Sequence, residues 1–158
     1  AVVDKLVEAG ARISIKNNRI KVCGRNRLKP INVTTLPYPG FPTDMQAQLM
    51  AAMCVTAGIS IITEKVYPER FIHISELNRM GAQIMLEGSS AIVKGIPALS
   101  GAPVMASDLR ASAALVLAGR VAKGTTEVHR IYHIDRGYEM IAEKLCSLGA
   151  EIRREKED

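Results

Sequence analysis

The sequence predicts an α/β fold built from a repeated unit of about 70 residues. Apolar segments with helical periodicity alternate with short β-type segments along the whole chain. One helix-to-strand corner also occurs three times, as Leu-Val-Glu-Ala-Gly-Ala ending at Ala11, Leu-Asn-Arg-Met-Gly-Ala ending at Ala82 and Leu-Cys-Ser-Leu-Gly-Ala ending at Ala150. Sequence similarity at such a period indicates copies of one supersecondary unit.

Residues 1–24 form a partial first copy of this unit. Apolar residues at helical spacing predict an amphipathic helix over residues 2–9, which ends at Gly10. Residues 11–23 predict a β-hairpin with Asn17 and Asn18 at its turn, because apolar and polar residues alternate on both sides of that pair. A basic connector covers residues 24–30.

Residues 30–95 form a complete copy. The predicted elements are, in order, a strand over 31–35, a proline loop over 37–42, a helix over 43–57, a strand over 59–66, a short helix and a hairpin over 82–93. The first helix has no charge after Asp44, so burial on all sides is expected. Ser75 is the predicted cap of the short helix, Gly81 ends it, and the hairpin turns near Gly88.

Residues 102–154 repeat the same order. The predicted elements are a strand at Val104 and Met105, a helix over 108–122, a strand over 125–132, a helix over 136–148 and a strand over 150–153. Ser107 is the predicted cap of the first of these helices. Tyr67 and Tyr132 are predicted to be equivalent strand ends, one in each copy.

Composition indicates a globular protein of one domain, with 158 residues, 47% apolar residues and a net charge of +5. We expect neither a membrane span nor a signal peptide, since no long apolar run or leader pattern is found. The chain begins inside a helical pattern, which predicts that it is part of a longer protein. Nucleic-acid binding is not expected, because aromatic residues are few and none are interleaved with arginines.

The cysteines Cys23, Cys54 and Cys146 are far apart and form no C-x-x-C pair, so we predict packing roles in a reducing compartment. His129 and His133 fall at the end of a predicted strand, where they cannot form a helical metal-binding face. No metal site is therefore expected.

The proline loop delivers Asp44 to the start of a helix, with Thr43 and Gln46 at the spacing of a capping box. One interpretation is that Asp44 is a functional carboxylate. The other is that it only complements the positive end of the helix.

Loops at equivalent places in a repeat gather at one end of the fold, and here they contain Asp44, Arg70, Asp108, Arg110 and Arg136. Arg110 and Arg136 are predicted in the first turns of helices, where the helix dipole disfavours a cation. A bound phosphate or carboxylate would remove that conflict. The alternative is that each arginine pairs with a neighbouring acid, Asp108 or Asp135.

Three segments resemble the enolpyruvyl transferase family: Phe-Pro-Thr-Asp-Met-Gln-Ala-Gln at 41–48, Ala-Ser-Asp-Leu-Arg-Ala-Ser at 106–112 and Arg-Ile-Tyr-His-Ile-Asp-Arg-Gly-Tyr at 130–138. The resemblance implies an inside-out α/β barrel fold of repeated β-α-β-α-β-β units. It also implies that residues 1–158 are the C-terminal part of a two-domain enzyme, whose N-terminal domain and mobile-loop cysteine are missing here.

The resemblance implies transfer of the enolpyruvyl group of phosphoenolpyruvate to the 3′-hydroxyl of UDP-N-acetylglucosamine, with release of phosphate. This is a step in making peptidoglycan precursors, and hence in cell-wall synthesis, cell shape and cell division, in the cytoplasm. No cofactor, metal, nucleic acid or membrane partner is implied. The isolated chain is expected to be inactive.

The matched positions imply roles for individual residues. Asp44 is implied as the general base and sugar contact, and Arg136 as a ligand of the phosphoenolpyruvate phosphate. Substrate-binding roles are implied for Val66, Arg70, Asp108 and Arg110. Two alternatives stay open: a sister enzyme that acts on shikimate 3-phosphate, and a non-catalytic repeat module.

Overall fold

A computed structural model describes residues 1–23 and 27–155 of the chain. Residues 24–26 of the predicted basic connector therefore lie outside the described residues. Helix α1 (Val2–Glu8) leads into a hairpin of β1 (Arg12–Lys16) and β2 (Arg19–Cys23), as predicted. Asn17 and Asn18 both have positive φ, at 49° and 60°, which suits the turn that joins two adjacent strands.

The second unit is built on a four-stranded sheet. Its elements are β3 (Val33–Thr34), a 3-10 turn (Thr43–Met45), α2 (Gln46–Cys54), β4 (Ile59–Thr63), α3 (His73–Arg79), β5 (Gln83–Glu87) and β6 (Ser90–Lys94). The strand order is β3-β4-β6-β5, in which β3 and β4 are parallel and β6 is antiparallel to both of its neighbours. Helix α2 is the crossover that parallel neighbours require.

The third unit begins with the same arrangement. Strands β7 (Pro103–Met105) and β8 (Glu127–His129) are parallel, and helix α4 (Leu109–Val121) crosses between them. Two short helices follow, α5 (Tyr132–Asp135) and α6 (Ile141–Ser147). The strand-helix-strand repeat predicted from the sequence is therefore present in both places.

The core forms where α2 packs against both α4 and the four-stranded sheet. Helix α2 is buried nearly all round, as its lack of charge predicts. Small residues on α4 allow close packing, and the fully enclosed Met50, Ile62, Leu77 and Leu115 fill the interior. No helix in the described part of the chain has both the length and the apolar content to cross a membrane.

The predicted helix caps are wrong at three places. Ser75 lies inside α3 and its hydroxyl donates to the Ile72 carbonyl, because the helix begins at His73. Ser107 does not cap α4; the Asp108 carboxylate does, accepting 2.7 Å bonds from the amides of Arg110 and Ala111. The Thr43 capping box does not form either, since no side chain caps the 3-10 turn or α2.

The last segment also differs from prediction. Of the expected helix over 136–148, only α6 forms; residues 136–140 lie between α5 and α6, and Met140 has a positive φ of 48°. Neither tyrosine is at a strand end: Tyr67 lies in the loop after β4, which ends at Thr63, and Tyr132 begins α5. Residues 150–153 form no strand within the described residues.

The cysteines are all free thiols, but they are not equally buried. Cys54 is enclosed in α2, and burial raises the pKa of its thiol to about 12. Cys23 is half-buried and Cys146 is exposed. A packing role is therefore supported for Cys54 and is wrong for Cys146.

Candidate functional site

The site lies where the parallel strands end and the two central helices begin. Asp44, in the 3-10 turn before α2, is contacted there by two arginines. Its Oδ1 accepts a 2.7 Å bond from Arg110 Nε and a 3.2 Å bond from Arg70 Nη1. The structure thus brings together residues that are 26 and 66 positions apart in the sequence.

The proline loop fixes where Asp44 stands. Phe41 is buried and pairs with Thr35 by a β-bridge, and its carbonyl accepts from the Leu36 amide at 3.0 Å. Both ends of the loop are thereby tied to the end of β3. The side chain of Asp44 nonetheless stays 61% exposed, so the loop presents it to solvent.

Arg70 is held at several points. Its guanidinium donates from Nη1 to the Thr43 hydroxyl at 2.9 Å and lies 4.2 Å from the centre of the Tyr67 ring. Its backbone carbonyl accepts from Gln46 Nε2 at 3.5 Å. A guanidinium restrained in this way loses little freedom when it binds an anion.

Arg110 is placed by the start of α4. Asp108 caps that helix, so Arg110 sits in its first turn as predicted, and its side chain reaches across to Asp44. The partner of Arg110 is therefore Asp44, and the carboxylate of neighbouring Asp108 is engaged by the helix amides. The hydrogen bond to Asp44 raises the pKa of Arg110.

The two arginines also set the charge of Asp44. The hydrogen bond from Arg110 lowers the pKa of Asp44. The charges of both guanidiniums lower it further, whereas partial burial opposes them. Asp44 is therefore ionised at neutral pH. Both arginines contact Oδ1, and Oδ2 has no hydrogen-bond partner among the residues that the structure describes.

A buried carboxylate lies behind this cluster and was missed by the sequence analysis. Glu64 is fully enclosed at the end of β4 and accepts four hydrogen bonds: from the hydroxyls of Thr35 (2.5 Å) and Thr43 (2.9 Å) and the amides of Val66 (2.8 Å) and Tyr67 (3.0 Å). Burial opposes its charge, but these bonds together lower the pKa of Glu64. Glu64 follows Ser60 and Ile62 at a spacing of two residues, and residues at that spacing along a strand point to the same face. Its position therefore indicated that it points inward with these two buried residues.

The remaining predicted residues stand at the edge of the cluster. The Val66 amide is bound to Glu64, which leaves its carbonyl as the backbone group that can contact a ligand. Arg136 is exposed and follows the last residue of α5, so the argument from an unfavourable helix start is wrong for it. The expected partner Asp135 pairs instead with Arg154, at 2.7 and 2.9 Å.

Arg136 is still near the start of α4. Gly137 packs so closely on Leu109 that a Cβ added to Gly137 would lie 2.7 Å from the Cδ2 atom of Leu109. Tyr138 accepts a 3.3 Å hydrogen bond from Gln48 of α2. The segment that contains Arg136 therefore borders both central helices, although the structure shows no direct contact between Arg136 and Asp44.

The fold and these signature segments define a class of protein. A family model described as EPSP synthase (3-phosphoshikimate 1-carboxyvinyltransferase) matches residues 1–145, and the chain belongs to this family of enolpyruvyl transferases. The solved enolpyruvyl transferase NikO from Streptomyces tendae is 29% identical, with a TM-score of 0.86 over 96% of this chain and 35% of its own. EPSP synthase from Acinetobacter baumannii, 18% identical, shares the fold with a TM-score of 0.62, over 87% of this chain and 36% of its own.

Among curated proteins, the chain is similar to UDP-N-acetylglucosamine 1-carboxyvinyltransferases. It is 62% identical to that of Anaeromyxobacter sp. (strain Fw109-5) over 99% of this chain, and 62% identical to that of Desulfosudis oleivorans over 96%. The enzyme of Geobacter metallireducens is 58% identical over 99%. The chain spans 36–38% of the length of these relatives.

Proposed function

We propose that the full-length protein containing this chain transfers the enolpyruvyl group of phosphoenolpyruvate to the 3′-hydroxyl of UDP-N-acetylglucosamine and releases phosphate. The observation that supports it most strongly is 62% identity to relatives of that name over nearly the whole chain. The product is a peptidoglycan precursor, so the proposal includes a role in cell-wall synthesis and a cytoplasmic location.

In this proposal Asp44 binds the attacking hydroxyl of the sugar and accepts its proton. Its side chain is largely exposed, both arginines bind Oδ1 rather than Oδ2, and its ionised state allows it to act as an acceptor at neutral pH. A lowered pKa makes Asp44 a weak base, so it takes the hydroxyl proton as the oxygen bonds to C2 of phosphoenolpyruvate. A proton added to C3 balances the opening of the double bond, and loss of phosphate together with a C3 proton restores it. The arginines on Oδ1 contribute orientation, because they restrict rotation of the carboxylate.

The cationic residues are proposed to bind the anionic parts of the substrates. Arg70 and Arg110 are already oriented by Asp44 and can donate their remaining N–H groups to phosphate or carboxylate oxygens. Arg136 is proposed to bind the phosphate of phosphoenolpyruvate and to stabilise the charge that develops on it as it leaves. Val66 is proposed to contact the nucleotide sugar through its backbone, and Asp108 to hold the start of α4 beside it.

The rest of the longer protein is proposed to form the other wall of the site. Asp44 and Arg136 are exposed in this chain, and the relatives are much longer. We further propose the inside-out arrangement of repeated units, with residues 1–24, 30–95 and 102–154 as a partial and two further units. No cofactor is proposed.

A second candidate acceptor is shikimate 3-phosphate, since the matching family model is named for the enzyme that uses it. The test is phosphate release by the full-length protein with phosphoenolpyruvate and either acceptor. We expect turnover with UDP-N-acetylglucosamine and none above background with shikimate 3-phosphate. Turnover with shikimate 3-phosphate alone would reverse the assignment, and turnover with neither would support the non-catalytic module.

A further inference from the structure

We infer that Glu64 is a positioning residue, which sets the Arg70 guanidinium against Asp44 through the hydroxyl of Thr43. This inference rests on the proposed function. Glu64 itself is fully buried and cannot contact a substrate, so any effect on the reaction has to pass through other side chains. Two such routes lead from its carboxylate to Arg70.

The first route is a directed chain of hydrogen bonds. Thr43 has a single hydroxyl hydrogen, and it donates this hydrogen to Glu64 Oε2 at 2.9 Å. The oxygen of Thr43 is then available only as an acceptor toward Arg70, whose Nη1 donates to it at 2.9 Å. The same Nη1 donates to Asp44 Oδ1 at 3.2 Å. Each bond in this chain has one possible direction, because the guanidinium can only donate and the Glu64 carboxylate gives the Thr43 hydrogen its acceptor.

The second route runs through the loop after β4. Glu64 Oε1 accepts from the amides of Val66 and Tyr67, which ties the beginning of this loop to the sheet. The Tyr67 ring lies 4.2 Å from the Arg70 guanidinium. Glu64 therefore fixes both the hydroxyl that Arg70 binds and the ring against which it lies.

The Thr35 hydroxyl is the fourth donor to Glu64, and the four donors are divided unequally between the two carboxylate oxygens. A substitution can therefore change the charge of Glu64 without changing its shape. Thr35 and both amides donate to Oε1, whereas only Thr43 donates to Oε2. In Glu64→Gln the amide oxygen can keep the three donors of Oε1, and the NH2 group faces Thr43. Thr43 then has a second donor directed at its oxygen and loses the acceptor for its own hydrogen, so its bond with Arg70 weakens.

The experiment compares variants of the full-length protein in the transferase assay. We expect Glu64→Gln to lower kcat/KM about tenfold, the effect of losing one hydrogen bond to a charged group. Thr43→Val should give a similar loss, and Thr43→Ser, which keeps the hydroxyl, should keep most of the activity. In an Arg70→Met background, Glu64→Gln should change kcat/KM less than twofold, which a merely structural role does not predict.

The matched control is Thr56→Val, since the buried Thr56 hydroxyl donates to the Ala52 carbonyl, away from the site. It should leave kcat/KM unchanged. Full activity of Glu64→Gln, or the same tenfold loss with and without Arg70, would overturn the inference.

A crystal structure of Glu64→Gln provides a readout independent of turnover: the bond from Arg70 to Thr43 should lengthen beyond 3.5 Å, and its retention would also overturn the inference. A wild-type protein without transfer activity would count against the proposed function alone.

Discussion

At the scale of single residues, the site contains one exposed carboxylate and one buried carboxylate. Asp44 is accessible and shares Oδ1 between two arginines, whereas Glu64 is enclosed and supports the loops that present them. An exposed ion pair contributes only about 0–1 kcal/mol to stability, so the arginines around Asp44 are better explained by orientation than by folding. Glu64 accepts from four buried or partly buried donors, which would lose their acceptor without it.

A third residue, His73, is expected to make the stability of the fold depend on pH. It is 1% exposed, its Nε2 has no hydrogen-bond partner among the described residues, and burial lowers its pKa to about 4, against the opposing charge of Asp108. The unfolded state therefore binds more protons than the folded state between about pH 6.5 and 4, so stability falls as pH falls through that window. We expect His73 to account for roughly 3 kcal/mol of that loss.

Denaturant unfolding of the full-length protein at pH 7 and pH 4 checks this prediction. The variant His73→Phe should lose less stability than the wild type over the same interval. Asp44 and Glu64, whose lowered pKa values add their own loss toward acid pH, are present in both proteins and cancel in the comparison. Equal losses in the two proteins would contradict the assignment.

At the scale of elements, the sequence predicted the hairpins, the central helices and most strands, because these depend on local periodicity; the strand expected over 150–153 does not form within the described residues. The caps were predicted less well, since Ser107 and Asp108 are adjacent residues whose side-chain oxygens can both accept from helix amides, and only the geometry of the turn decides between them. The Glu64 cluster could not be found from spacing, because its hydroxyl partners Thr35 and Thr43 lie 29 and 21 residues away. Arg136 was placed at a helix start because the positive φ just before α6 falls on Met140, a residue type that gives no sign of a break, although Gly137 lies in the same segment.

One connection between elements gives a stability prediction. After β6, Gly95 passes so close to the end of α2 that a Cβ there would lie 1.6 Å from the Thr56 carbonyl oxygen. Backbone on both sides prevents relief of that contact, so Gly95→Ala should cost more than about 3 kcal/mol. The matched control is Gly88→Asn in the β5–β6 turn, where nothing lies within 4 Å and asparagine tolerates the φ of 57°.

Thermal unfolding of the full-length protein measures both variants. Gly88→Asn should stay within a few degrees of the wild type, whereas Gly95→Ala should unfold far lower or fail to accumulate as folded protein. A Gly95→Ala protein as stable as the control would mean that the close approach of β6 and α2 is wrong.

At the scale of the whole molecule, the chain is proposed to form one wall of a site. The strand ends and helix starts of both units converge on Asp44, Arg70 and Arg110, and the segment with Arg136 borders them. The family match and the 36–38% coverage of the relatives agree with a site completed by residues outside this chain. That completion is a proposal with a direct consequence for activity.

The 158-residue chain assayed alone should therefore release no phosphate above background from phosphoenolpyruvate and UDP-N-acetylglucosamine. Its circular dichroism spectrum is recorded in parallel, so that an inactive folded chain is distinguished from an unfolded one. Turnover by the isolated chain at a rate near that of the full-length protein would contradict a site shared with the rest of the molecule.

The most direct test of the account is the substitution Asp44→Asn in the full-length protein, measured by phosphate release with both substrates. Asparagine keeps the shape of the side chain but cannot accept the hydroxyl proton, so we expect kcat to fall by about 100-fold or more. Asp4→Asn, an exposed acid in α1 away from the site, is the control and should keep wild-type kcat. An Asp44→Asn protein that is folded and retains most of its kcat would contradict the central claim that Asp44 acts on the substrate hydroxyl.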